Sequence, residues 1–300
     1  MKKILIVGSK GFIGKHVYSY FSTKINFITW SCDVTVDYTT NRYIQVDATN
    51  AEYSEIFLNT KFDICINCSG AASVPDSLIN PQRDFTLNTY NVFRILDAIR
   101  KYNSECKFIN ISSAAVYGNP LTLPIKESFS PSPISPYGLH KLMSENICKE
   151  FFNFYSLKTC SLRIFSAYGE GLKKQLLWDL FTKMRSGLAF ELFGNGDETR
   201  DFIYVYDIVC AINLIIDKAA FKGEAINIAN GTEITIKGIV DLFSSLVNWN
   251  GKAIFNGQKR PGDPSNWQAD ITTIKSYGYK STVTFEEGAK KFIKWAQENI

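Results

Sequence analysis

Lys3-Ile4-Leu5-Ile6-Val7-Gly8-Ser9-Lys10-Gly11-Phe12-Ile13-Gly14 decides the fold of this chain. Four consecutive apolar residues read as a strand buried on both faces, and the stretch over 14–20 that follows reads as a helix. Between them, glycines at 8, 11 and 14 allow a tight turn, close backbone approach to a pyrophosphate, and close packing of helix on sheet. The helix N-terminus adds amide donors and the positive end of its dipole. Gly8, Gly11, Phe12, Ile13 and Gly14 are the expected phosphate-facing residues.

Working outward, the alternation repeats. Apolar runs at 27–30, 44–46, 64–68, 108–111 and 160–164 read as strands, with helices expected at 51–58, 84–102 and 137–154. Parallel neighbours need crossover connections, so the pattern predicts an α/β fold, a Rossmann-type doubly wound parallel sheet with helices on both sides. Proline-rich 120–136 is a long connection that cannot form a regular helix or central strand. After about Tyr168 the composition shifts. A helix is expected at 176–185, a turn at Gly194-Asn195-Gly196-Asp197, a helix at 207–218, a strand at 225–229 and a closing helix from Phe285. The expected division is a dinucleotide-binding domain over 1–168, completed by about 203–229, and a smaller C-terminal substrate-binding lobe from 169–202 and 230–300.

Composition narrows the function classes. The 300 residues carry 33 Lys plus Arg against 29 Asp plus Glu, and no basic run concentrates the excess, so a nucleic-acid partner is not expected. The apolar run after Met1-Lys2-Lys3 ends at Gly8, too short for a signal core, and the run over 208–216 is interrupted by Asn213 and falls far below a membrane span. Seven scattered cysteines suit reduced thiols in a cytoplasmic enzyme. Cys65 and Cys68 lie three apart in an apolar strand and point to opposite faces, and the only two histidines, His16 and His140, each sit beside a helical motif away from another potential ligand. No metal site is expected.

The chemistry is concentrated at Tyr137-Gly138-Leu139-His140-Lys141. At i and i+4 the phenol and the ammonium share a helix face, where the ammonium favours the phenolate and makes Tyr137 a usable acid/base; Ser113 precedes them in the chain. Ribose recognition is less direct. A carboxylate just past the second strand would bind the adenine ribose, but after Trp30 come Ser31-Cys32-Asp33, so the acid falls about two residues late and both NAD and NADP stay open, NAD slightly preferred. Asp47-Ala48 is placed to contact adenine, and Ser69-Gly70-Ala71 follows the fourth strand, where small residues let a cofactor approach the backbone.

With these elements in order the chain resembles the extended short-chain dehydrogenase/reductase family, in particular its nucleotide-sugar epimerases, dehydratases and ketoreductases. The resemblance rests on the glycine turn, Cys68-Ser69-Gly70-Ala71-Ala72, Asn88, Ser112-Ser113-Ala114-Ala115-Val116-Tyr117-Gly118, Tyr137-x-x-x-Lys141, Arg163-Ile164-Phe165-Ser166-Ala167-Tyr168-Gly169, Thr199-Arg200-Asp201-Phe202 and Arg260-Pro261-Gly262-Asp263. It implies a catalytic set of Ser113, Tyr137 and Lys141, with Lys141 also holding the nicotinamide ribose, Asn88 near the nicotinamide, and Ser112 among the cofactor contacts. It implies a grip on the substrate's nucleoside diphosphate from Arg200, Arg260 and Asp263, with Phe193 near the base and Ser166 where many members carry Asn. It also implies a homodimer formed by the helices at 84–102 and 137–154, which carry Phe85, Tyr90 and Phe93, and Leu142, Ile147 and Phe151, and a place in polysaccharide biosynthesis such as that of O-antigen.

Dehydratases of this resemblance carry an acidic pair directly after the catalytic Ser/Thr, and Ala114-Ala115 stand there instead. The expected activity is 4-epimerisation of a nucleotide-activated hexose through a transient 4-keto sugar. The alternative is a 4-ketoreductase of a 4-keto-6-deoxy sugar using NAD(P)H, and a different class altogether is a non-catalytic dinucleotide-binding module, disfavoured because Ser113, Tyr137 and Lys141 are all kept.

Overall fold

The computed structural model describes residues 1–37, 39–50, 52–258 and 262–300. In chain order its strands are β1 (Lys2–Val7), β2 (Phe27–Asp33), β3 (Tyr43–Gln45), β4 (Ile64–Asn67), β5 (Lys107–Ser113), β6 (Thr159–Ile164), β7 (Ser166–Tyr168), β8 (Ala189–Leu192), β9 (Thr199–Tyr204), β10 (Lys222–Ile228), β11 (Glu233–Thr235) and β12 (Lys252–Phe255). The helices are α1 (Phe12–Ser22), α2 (Tyr53–Asn59), α3 (Val74–Ile79), α4 (Pro81–Phe85), α5 (Asn91–Tyr102), α6 (Pro136–Tyr155), α7 (Gln175–Ser186), α8 (Val205–Lys218), α9 (Ile236–Leu246), α10 (Thr272–Ser276) and α11 (Phe285–Glu298).

Seven strands form one sheet in the order β10-β6-β5-β4-β1-β2-β3, and every pairing in it is parallel. The chain builds outward from β1 through β2 to β3, then returns to β4 on the other side of β1 and continues through β5 and β6. That reversal opens a crevice beyond the carboxyl ends of β1 and β4, where ligands of open α/β sheets bind. One apolar cluster lies on each face. Ile4, Ile6, Ile64, Ile66, Ile109 and Leu162 point to the face covered by α1 and α8; Leu5, Val7, Cys65 and Phe108 point to that of α2, α5 and α6. Alternate residues of one strand serve both cores, which is why these strands read as unbroken apolar runs. A third cluster, with Leu180, Phe181, Phe243, Phe292 and Ile293 at its centre, joins α7, α9 and α11. The remaining strands are short: β9 lies between β11 and β7, and β12 pairs with β8.

Three features differ from the sequence reading. β2 runs on to Asp33, since Ser31 and Cys32 are buried and continue the pairing with β1, opposite Ile6 and Val7. The acid therefore stands at the strand's end rather than two residues late. The helix expected over 84–102 begins at Pro81 and contains a π-helical turn, Thr86–Tyr90, between α4 and α5. Phe151, expected on a surface, is buried at 1% exposure and packs edge-on against Phe93. Phe85, Tyr90, Phe93, Phe154 and Tyr155 are the aromatic side chains these helices expose.

Candidate active site

The turn after β1 is shaped by what its glycines exclude. Gly8 has φ +79°, and a Cβ there would lie 2.5 Å from the Ser69 backbone nitrogen; a Cβ on Gly14 would lie 2.0 Å from the Gly8 carbonyl oxygen. The first contact brings the β1 and β4 loops together, and the second presses α1 onto the turn. Gly11 is the N-cap residue of α1, which starts without a side-chain cap, so the amides at Phe12 and Ile13 open the helix toward the crevice. Beside this turn the Asp33 carboxylate accepts the backbone N–H of Lys10 at 2.6 Å and of Val34 at 2.7 Å. Val34, Gln45, Val46, Asp47 and Ala48 line an adjoining cavity of about 590 Å³. The Asp47 carboxylate accepts from the Thr49 amide and hydroxyl, both at 2.8 Å, and fixes the turn that carries Ala48.

Across the crevice, the strand β5 ends in Ser112 and Ser113 and runs into a 3-10 turn, Ala114–Tyr117. Ser113 Oγ accepts the Ala115 amide at 3.1 Å and stands near enough to the Tyr137 hydroxyl to favour its ionised form. α6 begins with Ser135 as its cap, its Oγ accepting the Gly138 amide at 3.1 Å, followed by Pro136 at the first helical position. Gly138 then permits a close approach that no other residue allows: a Cβ would stand 2.5 Å from the Ala115 carbonyl oxygen. Helix and 3-10 turn touch backbone to backbone, and Tyr137 reaches Ser113.

Lys141 is buried, 6% exposed, with its ammonium donating to the Ile111 carbonyl at 2.9 Å and lying 6.0 Å from the Tyr137 ring centre. Burial sets the electrostatics. It pushes the Tyr137 phenol up to about 12, against the opposing hydrogen bond from Ser113, and pushes Lys141 down to about 8. Loss of water around the hydroxyl is the largest influence on the Tyr137 phenol, and the Asp84 carboxylate adds to it.

Beneath the pair, Asn88 sits in the π-helical turn at 1% exposure. Its Nδ2 donates to Asp84 at 3.0 Å, while its Oδ1 is buried with no partner. A Cβ on Gly70 would lie 2.4 Å from that oxygen and 3.5 Å from the Lys141 nitrogen, so Gly70, at φ +121°, Asn88 and Lys141 border one space. The Ser69 hydroxyl is turned to Asn67 at 2.6 Å. The glycine cradle, the uncapped helix, the acid at the end of β2 and the orphaned Asn88 oxygen fit a dinucleotide laid from the cavity at Asp47 and Ala48 to Lys141.

Ser112 does not present its hydroxyl to this space. It donates to Glu145 Oε1 at 2.6 Å, and Glu145, 1% exposed, is gripped by Arg163 through Nε at 3.0 Å and Nη2 at 2.7 Å. Arg163 Nη1 donates to the Tyr117 hydroxyl at 2.7 Å, which donates in turn to Asn227 on β10. This buried pair ties β5, β6, α6 and the 3-10 turn together. It escaped the sequence reading, although Tyr137, Lys141 and Glu145 fall at i, i+4 and i+8 on one helix face.

On the C-terminal side, Arg200 lies on β9, donating through Nη1 to the carbonyls of Thr199 at 2.8 Å and Ser265 at 3.2 Å, with its guanidinium 5.8 Å from the Trp267 ring. Asp263 is near enough to favour its charge against burial. Gly262, at φ +78°, packs where a Cβ would meet Val74 at 2.7 Å and Ser135 at 3.4 Å, so the Asp263 loop rests on the N-terminus of the Tyr137 helix. Ser166 opens β7, half-buried, and Phe193 is 52% exposed after β8. Arg260 lies outside the described residues.

Comparison with known proteins gives likenesses that extend over nearly the whole chain. The family model described as "NAD dependent epimerase/dehydratase family" matches residues 4–229. A putative UDP-glucose 4-epimerase of Methanocaldococcus jannaschii is 28% identical over 99% of both chains. Among solved structures, a UDP-glucose 4-epimerase with UDP-glucose from Thermotoga maritima is 26% identical, with a TM-score of 0.89 over 99% of both chains. A UDP-glucuronic acid 4-epimerase from Bacillus cereus, in complex with UDP-glucuronic acid and NAD, has a TM-score of 0.91 at 24% identity, over 99% of this chain and 100% of that one, and shares the fold.

Proposed function

The chain belongs to the NAD dependent epimerase/dehydratase family, and from that premise we propose that it is a nucleotide-sugar 4-epimerase that works with NAD through a transient 4-keto sugar. One observation carries the reading. Tyr137 lies beside Ser113, whose hydroxyl opposes the rise of its pKa, one turn from Lys141 at the mouth of the glycine-lined crevice, while the turn after Ser113 holds Ala114 and Ala115 at 0% and 9% exposure. Elimination of water across C5 and C6 needs an acid and a base there, and two buried alanines supply neither. The acid at the end of β2 supports NAD over NADP, since Asp33 would bind a ribose 2′-hydroxyl and repel a 2′-phosphate.

Gly8, Gly11, Phe12, Ile13 and Gly14 would hold the pyrophosphate, Asp33 the adenine ribose, Asp47 and Ala48 the adenine edge, and Ser69, Gly70, Ala71, Asn88 and Lys141 the nicotinamide half, with Ser112 contributing through its backbone. When bound, NAD accepts hydride from C4 of the sugar and returns it to the opposite face of the ring. The protein does the rest. Tyr137 takes the proton of the C4 hydroxyl while Ser113 shares the hydrogen bond, and the same phenol gives the proton back after the keto sugar has turned over. Its place in the first turn of α6 and the Lys141 ammonium both favour the phenolate as the filled site closes around them. Arg200, Arg260 and Asp263 hold the diphosphate and ribose by charge-assisted bonds, with Phe193 against the base and Ser166 at the sugar.

The proposed division follows the expected boundaries, 1–168 with 203–229 for the dinucleotide and 169–202 with 230–300 for the substrate, supported by the separate apolar cluster of α7, α9 and α11. Exposed Phe85, Tyr90, Phe93 and Phe154 on neighbouring helices support a homodimer, which light scattering at micromolar concentration checks. Seven free thiols support a cytoplasmic setting, and no described helix is long and apolar enough to cross a membrane. A product of this kind would feed polysaccharide assembly, such as that of O-antigen.

The test is incubation with UDP-glucose, UDP-glucuronic acid and UDP-N-acetylglucosamine without added reductant, followed by separation of the C4 epimers. Interconversion with no change in NADH absorbance is expected. Absence of interconversion, with stoichiometric NADPH consumption on a 4-keto-6-deoxy nucleotide sugar, would replace this reading with the ketoreductase.

A further inference from the structure

His140 has no part in the chemistry described above, yet it is buried directly behind it. One residue before Lys141 on α6, it is 8% exposed, its Nδ1 lies 2.6 Å from Asp84 Oδ2, and its ring meets Phe85 edge-on at 5.5 Å. Its backbone carbonyl accepts the Thr89 hydroxyl at 3.0 Å, fastening α6 to the π-helical turn. Asp84, 1% exposed, shares its other oxygen with Asn88 Nδ2 at 3.0 Å.

The direction of these bonds follows from the carboxylate, which only accepts. Nδ1 of His140 must carry the hydrogen, and Asn88 must offer its NH₂ to Asp84. The amide cannot turn over, so Oδ1 is forced into the space bordered by Gly70 and Lys141, where it stands buried and unpartnered. An ammonium donor and a bare amide acceptor facing one space suit a ligand atom that accepts and donates at once, as a hydroxyl does.

We infer that His140 is a positioning residue: acting through Asp84, it locks the Asn88 amide with its oxygen toward the cofactor's nicotinamide-ribose hydroxyl, which Lys141 also reaches. The inference rests on the proposed use of NAD. Without the imidazole, the Asp84 side chain loses one of its two side-chain hydrogen bonds and is free to turn, and the Asn88 amide is no longer held in one orientation.

The experiment is calorimetric titration of NAD⁺ into dialysed, nucleotide-free protein. His140→Ala is expected to weaken NAD⁺ about tenfold, equivalent to about 1.4 kcal/mol. In an Asn88→Ala background it is expected to weaken NAD⁺ no further, because the amide through which His140 acts has been removed. His140→Asn, whose amide can donate to Asp84, should recover most of the affinity. Asp84→Asn leaves no obligate acceptor and should reproduce the loss without altering the helix that bears Lys141, so the inference stays testable if His140→Ala folds poorly. Effects of His140→Ala and Asn88→Ala that multiply, or full affinity in Asp84→Asn, would overturn it and leave His140 a packing residue. If the parent protein binds no NAD⁺, the cofactor reading fails and this inference with it; NAD⁺ binding by the parent with unchanged affinity in His140→Ala overturns the inference alone.

Discussion

Lys141→Met separates what the buried ammonium costs the fold from what it does in the site. Burial lowers this ammonium from 10.5 to about 8. At 1.36 kcal/mol per pK unit the charged form is disfavoured in the folded protein by about 3 kcal/mol. The group is a base whose folded pKa lies below its unfolded value, so the cost is fully present below pH 8 and disappears as pH rises from 8 through 10.5. Methionine fills similar volume with no charge, but forfeits the 2.9 Å bond to the Ile111 carbonyl. That loss is nearly independent of pH. The stability difference between variant and parent must therefore shift in the parent's favour by about 3 kcal/mol between pH 7 and 10.5, whatever its absolute value. Urea denaturation of both nucleotide-free proteins at the two pH values measures it. A difference that stays constant with pH would mean that Lys141 is not held against its desolvation, and the electrostatic account of the site would fail. Turnover should be lost in the variant at either pH.

Three further substitutions probe the remaining parts. Tyr137→Phe removes one hydroxyl and should lower turnover by about 10²–10⁴-fold with NAD⁺ affinity close to the parent's; turnover at the parent's rate would take the phenol out of the mechanism. Glu145→Gln leaves Arg163 charged and buried without its carboxylate and should cost about 3–5 kcal/mol in urea denaturation, whereas a loss under about 1 kcal/mol would mark the pair as no stronger than one on the surface. Arg200→Ala should weaken UDP binding by about 1.5–3 kcal/mol in calorimetry and leave NAD⁺ binding unchanged, and equal UDP affinity would remove Arg200 from the substrate grip.

The parallel sheet was legible because each of its central strands is apolar on both faces, a pattern that needs no knowledge of neighbours. β2 was read short because Ser31, buried at 1% exposure, is polar, and only its pairing opposite Ile6 shows that the strand continues. The short strands β7, β8, β9, β11 and β12 left little trace, since three to six residues cannot establish a period and their partners lie far away in sequence. Tyr137 and Lys141 could be named from spacing along one helix, whereas Ser113, at the end of β5, was named from the family resemblance. The His140–Asp84 contact could not: the two residues are 56 apart, and the histidine, read as remote from any ligand-type residue, meets its carboxylate only once α6 packs on α4. Gly138 likewise looks like an ordinary residue in a helix until the Ala115 carbonyl is placed against it.

The position of β10 at the edge of the sheet bears on how the chain is made. Its residues, Lys222–Ile228, pair only with β6, which ends at Ile164. Roughly 60 residues separate the two, and at a synthesis rate of about 5–20 residues per second β6 waits on the order of 3–12 s for the strand that covers it. During that interval an edge of six buried-type residues is unpaired, and the Tyr117–Asn227 hydrogen bond that fastens the 3-10 turn beside Ser113 does not exist. The nascent chain has Ser113, Tyr137 and Lys141 seconds before it has the strand that holds the turn beside them.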